Sequence, residues 1–234
     1  MVHLRIFTRR ILRLAALLLA TSVAACTDTT SPDQADATAL SGYLTTSAAV
    51  LRTRDGEGIN FNEMYPTLAY QLAKRQVGDG FLEQSFTVDP TKGALVEFGA
   101  LTGNVIAIPA NTICDPATTG YGPTEWLKSC SRATRPIEFK VTTWIDLKGR
   151  PQARFEPDVR FSPSAARPVR LFFKDHLLRN YSTIYIPYCT AIGTCVKEEA
   201  TDSFLTTKVT PITSGGYWVY RNLRHFSGYN VTAF

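Results

Sequence analysis

The chain has 234 residues, of which 44% are hydrophobic and 19% charged, with 25 Lys and Arg against 20 Asp and Glu. That length and apolar content suffice for one domain with its own core. Arg5, Arg9, Arg10 and Arg13 precede Cys26 with no acids beside them, so the rest of the chain carries 21 basic against 20 acidic residues. A net charge near +1 rather than +5 removes the ground for nucleic-acid binding or for steering towards anionic partners.

Behind the cationic start, Leu14 to Ala20 is an apolar run far shorter than the roughly 20 residues a membrane span needs, so residues 1–25 are predicted to be an export signal. Val23, Ala24 and Ala25 in front of Cys26 resemble the lipobox of bacterial lipoproteins. The resemblance implies cleavage before Cys26 and lipidation of that cysteine, with an ordinary secretory signal and a spare thiol as the alternative. Each buried methylene of an acyl chain adds about 0.8 kcal/mol, and two chains already anchor a protein durably. Arg9 and Arg10 read as part of an ordinary cationic region rather than a twin-arginine signal, because Arg13 interrupts the apolar start. By analogy with lipoproteins of two-membrane bacteria, Thr27 after the cysteine favours the outer membrane.

Residues 26–45, rich in Thr, Ser, Asp and Ala, bury too little apolar surface to offset their ordering entropy and are predicted to be a disordered tether. Residues 46–80 form an N-terminal segment with little periodic signal. Within it, Pro66, Leu68, Leu72 and Val77 leave room for one short helix over residues 62–77.

From Phe81 onwards the pattern is β. Short apolar runs bounded by Gly, Pro, Asp or Asn follow one another; Ile137, Phe139 and Val141 alternate with Glu138, Lys140 and Thr142, and Val169, Leu171 and Phe173 share a face. Ser214, Gly215 and Gly216 supply a turn before the YWVY run, and thirteen prolines suit strand ends and loops. The prediction is an all-β chain with a single antiparallel β-sandwich over residues 81–234.

Four cysteines remain after Cys26, an even number in an oxidising compartment. Three connectivities are open, of which the sequence-local pairs Cys114–Cys130 and Cys189–Cys195 are favoured; they would stabilise by roughly 3 and 2 kcal/mol on the chain-entropy model. No C-x-x-C pair is present, and His176 and His225 are far apart, so neither a metal nor another cofactor is expected.

The IPA turn at Ile108, Pro109 and Ala110, the FEPDVRFSP run at residues 155–163 leading into PVRLFF, and the closing HFSGY together resemble the ZU-type β-sandwich of zonula-occludens proteins, netrin receptors and ankyrins. The resemblance covers residues 93–234 and implies an Ig-like sandwich. The insert from Cys114 to Cys130 and the loop from Cys189 to Cys195 depart from that pattern and read as envelope-specific staples. In some members of that family the chain cuts itself between Phe and Ser of a His-Phe-Ser triplet. Carried over, His225 would activate the Ser227 hydroxyl, which would attack the Phe226 carbonyl and turn the amide into an ester open to water. In a regular strand His225 and Ser227 lie about 6.6 Å apart along the axis, so the chemistry needs a bend there. The structural alternative makes Phe226 a core plug, with His225 and Ser227 outward or bonded locally and Tyr229 continuing a final strand.

No G-x-S-x-G elbow, P-loop, dinucleotide fingerprint or H-E-x-x-H motif is present. Glu125, Glu138, Glu156, Asp158 and Asp175 read as solvated or turn residues, and His176 as a surface group. Tyr121 and Trp126 are the candidates for a platform binding a glycan or an envelope protein, while Trp218 and Tyr220 share one strand face that is more simply core. The sequence therefore points to a non-enzymatic, lipid-anchored envelope protein with a binding or structural role, and to self-cleavage as the alternative chemistry.

Overall fold

The computed structural model describes residues 51–52, 58–59, 65, 68–78, 80–99, 103–175, 184–190, 194–212, 216–230 and 232–233. The export signal, Cys26, the tether, His176 and the Ser214–Gly215 part of the expected turn lie outside the described residues.

In chain order the strands are β1 (Leu51–Arg52), β2 (Gly58–Ile59), β3 (Ala69–Leu72), β4 (Lys74–Gly78), β5 (Phe81–Val88) and β6 (Gly93–Phe98). They continue with β7 (Asn104–Pro109), β8 (Ile137–Ile145), β9 (Pro151–Glu156), β10 (Val169–Asp175), β11 (Ile184–Tyr185) and β12 (Tyr188–Cys189). The last five are β13 (Cys195–Val196), β14 (Lys208–Pro211), β15 (Tyr217–Leu223), β16 (Gly228–Asn230) and β17 (Thr232–Ala233). A six-stranded sheet runs β14-β15-β10-β7-β6-β3 and a seven-stranded sheet β13-β12-β16-β9-β8-β5-β4, with β1-β2 and β11-β17 as separate pairs. Every pairing is antiparallel except β3 with β6. The chain is an all-β sandwich.

Residues 69–78 are extended, not helical. β3 lies parallel to β6 in one sheet; the chain crosses at buried Ala73 and pairs as β4 with β5 in the other. One stretch thus hems both sheets at a corner, ahead of Phe81. The i, i+4 spacing of Leu68 and Leu72 suits a helix, but local propensity is a weak prior, and two open sheet edges offered the backbone hydrogen bonds that a marginal helix would have to make alone.

The main core lies between the sheets: Phe86, Phe139, Val141 and Phe155 come from the seven-stranded sheet, and Val96, Phe98, Ile106, Leu171, Phe173 and Val219 from the six-stranded one. A second cluster of Tyr65, Leu95, Val105, Ala107, Phe172, Trp218 and Tyr220 covers the outer face of the six-stranded sheet. Burial on both faces explains why VIAI, LFF and WVY read as continuous apolar runs while β8 alternates clearly. Trp218 and Tyr220 are core, as their shared face suggested. At the IPA turn, Gly93 pairs with Pro109 at a φ of 76°, and a β-carbon there would stand 2.3 Å from the Ile108 carbonyl oxygen.

The disulfides are Cys114–Cys130 and Cys189–Cys195, the two sequence-local pairs.

Candidate functional site

The closing segment docks against residues 155–161, so the FEPDVRF and HFSGY runs, distant in sequence, become neighbours. Phe161 N donates to the Arg224 carbonyl at 2.7 Å, Phe226 N to the Val159 carbonyl at 2.7 Å, and Phe155 N to the Ser227 carbonyl at 3.0 Å. Phe226 is fully buried among Phe155, Phe161 and Phe139, with ring centroids 4.6, 4.9 and 5.1 Å away. With Phe226 in the core, an extended backbone turns His225 and Ser227 to the opposite side. The chain bends at Ser227 before entering β16.

That opposite side does not face water. The loop closed by Cys114–Cys130 covers it, held down by buried Arg160, whose guanidinium donates to the carbonyls of Glu125, Lys128 and Ser129. From this loop the Trp126 ring stacks on the His225 imidazole at 3.9 Å, and Tyr188 of β12 meets it edge-on at 4.7 Å. His225 is therefore fully buried, and Ser227 is buried as well; neither faces out.

A buried imidazole needs partners, and His225 has them. Nε2 lies 2.9 Å from Glu198 Oε1, while Nδ1 lies 3.2 Å from the Tyr121 hydroxyl and 3.3 Å from that of Tyr229. The other Glu198 oxygen accepts from Arg221 at 2.7 Å, and Arg221 also donates to the Ile186 carbonyl. Burial alone would push the Glu198 carboxyl up; the hydrogen bond and charge of His225, with Arg221 behind them, outweigh it and hold the carboxyl below its ordinary value. Burial first, and the nearby Asp158 charge second, push the Tyr121 phenol well above its ordinary value, and burial does the same for Tyr229. Both phenols therefore stay protonated and donate: Tyr229 to the His225 carbonyl and Tyr121, at 2.6 Å, to the Phe226 carbonyl.

The Phe226 carbonyl is the one that self-cleavage would attack, and the Tyr121 hydroxyl that donates to it also stands 3.2 Å from His225 Nδ1. His225 does not take the contact with Ser227 that direct activation requires: its ring nitrogens are engaged by Glu198, Tyr121 and Tyr229.

No protein-family model, curated protein or solved structure matches the chain.

Of the residues singled out in sequence, the structure gathers Tyr121, Trp126, His225, Phe226 and Ser227 at one place, with Cys114–Cys130 closing the loop above and Cys189–Cys195 beside β16. Trp126 meets a protein ring rather than open solvent, while Tyr121 keeps 36% of its surface exposed. Asp175, expected at the surface, is buried and accepts from Arg150 at 2.6 Å, because β10 carries it into the sheet interior. Glu125 pairs with Lys128, and Glu156 with Lys140 and Arg154, at exposed or half-exposed positions. Glu198, Arg221 and Tyr229 were missed. Glu198 sits in the polar run KEEATD, which reads as loop, and nothing local marks one acid there as the partner of a histidine 27 residues on. Among the described residues no group of His, Cys, Asp and Glu is placed to hold a metal ion, and no helix is long and apolar enough to cross a membrane.

Proposed function

We propose that the chain is an exported cell-envelope protein, anchored through lipid on Cys26 in the outer membrane, that presents a disulfide-stapled sandwich of divergent ZU type for binding to an envelope protein or glycan or for envelope structure. The observation that carries the reading is the pairing of all four cysteines beyond Cys26 into two bridges, the usage of an oxidising compartment. The VAAC sequence ahead of Cys26 supports the anchor. Expression of the full chain in a two-membrane bacterium fed an alkyne-tagged fatty acid tests it. The label is expected in the membrane fraction on a chain beginning at Cys26, and to be lost in Cys26→Ser; an unlabelled, soluble chain cut elsewhere would overturn the anchor.

A second reading, self-cleavage between Phe226 and Ser227, is favoured by one contact, the Tyr121 hydroxyl on the Phe226 carbonyl at 2.6 Å. A donor already aimed at that oxygen is what a developing oxyanion requires. Intact-mass measurement of the folded chain is expected to find a fragment beginning at Ser227 that is absent in Ser227→Ala, and a single intact species in both would end the idea.

A further inference from the structure

We propose that the tip of the β8–β9 hairpin, with Leu147 at its point and Phe81 and Trp144 beside it, docks into the surface of a phospholipid bilayer, the one that holds the Cys26 lipid. This rests on the lipid-anchor reading above.

Three of the six large apolar side chains exposed among the described residues stand at this end of the seven-stranded sheet: Leu147 is fully exposed, Ile145 48% and Phe81 47%. Leu82 pairs with Thr143, which sets Phe81 against Trp144, and the two rings meet edge-on at 5.5 Å. The tip is stiff. The Asp146 carboxylate accepts from Lys148 N at 2.9 Å, from Arg150 N at 2.8 Å and from the Gln152 amide at 3.1 Å, while Gly149 N donates to the Asp146 carbonyl at 2.9 Å. Behind the turn, Arg150 is tied to buried Asp175 at 2.6 Å. Leu147 is thus held out in water by a bonded turn rather than left there by a loose loop.

A bilayer fits this surface better than a protein does. A stable protein interface takes about 20–30 residues a side, and four apolar side chains at a tip fall far short. A lipid-anchored domain needs less, because the anchor already holds it at the membrane and docking is an intramolecular step. The residue types suit the interface: Leu147 and Ile145 enter the acyl boundary, and Trp144 and Phe81 sit at headgroup level. Lys148, exposed and with no ion-pair partner among the described residues, reaches the phosphates. The neighbouring Asp146 carboxylate is turned into its own turn, away from them. Reach is sufficient as well. As a flexible coil, the 25 residues 26–50 span about 25–30 Å, and β8, nine residues long, measures about 30 Å, so the tip meets the bilayer whichever end of the sandwich the tether joins.

The test expresses the full chain in a two-membrane bacterium fed an alkyne-tagged fatty acid. The purified protein is reconstituted in vesicles of phosphatidylethanolamine and phosphatidylglycerol whose brominated acyl chains quench tryptophan on contact. Trp218 is buried and Trp126 is stacked on His225, so Trp144 is the indole that a docked tip brings to the bromine. Quenching is expected in the native chain and is expected to vanish in Trp144→Phe, which keeps an aromatic ring for Phe81. Leu147→Ser, at a position the fold leaves in water, should lower the ratio of docked to undocked tips by about tenfold or more, and the quenching with it. Leu127→Ser, which alters an exposed leucine on the disulfide-closed loop, should quench as the native chain does. A labelled chain whose emission is unquenched would overturn the tip and leave the anchor standing, as would quenching that Leu147→Ser does not change or that Leu127→Ser removes. A chain that carries no label would end the anchor and the proposal together.

Discussion

Glu198 and His225, 27 residues apart, meet at 2.9 Å in the interior, and Arg221 closes the far side of the same carboxylate at 2.7 Å. The pair joins the segment after β13 to the segment before β16, so it ties two separate parts of the chain at the site. With Arg221 only 1% exposed, truncating the acid strands a buried cation. Glu198→Ala is therefore expected to destabilise by about 3–5 kcal/mol in urea unfolding, more than the lost contact alone would explain. The double variant Glu198→Ala with Arg221→Met should recover part of that loss, because the stranded charge goes with its partner. A single variant within about 1 kcal/mol of the native chain would contradict this account of a buried charge network.

Two carboxyls give opposite pH signatures. Glu198 is held below its ordinary value when folded, so its stabilisation is complete above the ordinary glutamate range and is lost as pH falls through the folded value. Glu97 is pushed up to about 6 by burial, against opposing Lys174 and Arg75, and its Oε2 has no hydrogen-bond partner among the described residues. Its contribution is therefore present below the ordinary glutamate range and is lost as pH rises through about 6. Urea midpoints measured across this range should show Glu97→Gln removing a decline between pH 4.5 and about 6, and Glu198→Gln removing an acid-side decline below it. Identical pH profiles for all three proteins would refute both assignments.

Breaking Cys114–Cys130 should loosen the cover of the site as well as the fold. The bridge spans 16 residues, for which chain entropy gives about 3 kcal/mol. Cys114→Ser with Cys130→Ser is expected to lose roughly that stability. It should also shift Trp126 emission to the red as its stack on His225 opens. Lost stability with unchanged emission would mean that Arg160, through its three carbonyl contacts, holds the loop unaided.

The sandwich was legible because turn residues bound its strands and because apolar residues alternate at Ile137, Phe139 and Val141 of β8 and at Val169, Leu171 and Phe173 of β10. The sheet-switching corner at Ala73 was not: residues 69–78 become strands through pairing with β6 and β5, which no local spacing encodes. The site was half legible. The residues gathered at the site, Tyr121, Trp126, His225, Phe226 and Ser227, were all visible by type, but their grouping depends on a loop folding back over the segment before β16. Glu198 gives no local sign, since only long-range packing turns a charged loop residue into the partner of a buried histidine.

Gly93 and Gly80 separate two reasons for a glycine. Both have positive φ, 76° and 80°, but a β-carbon at Gly80 meets nothing within 4 Å, whereas at Gly93 it would stand 2.3 Å from the Ile108 carbonyl oxygen and 2.7 Å from the Ala110 nitrogen. Gly80→Ala meets backbone strain alone and is expected to destabilise by about 1 kcal/mol. Gly93→Ala adds a collision with backbone atoms that cannot turn aside as a side chain would. Because β6 and β7 are paired through Gly93 and Pro109, relieving the clash means parting two strands inside the six-stranded sheet, one in from its β3 edge. Its loss is expected to reach about 3 kcal/mol or more. Thermal or urea unfolding of the two variants side by side checks the order, and equal losses would show that the approach of Ile108 to Gly93 does not constrain this turn.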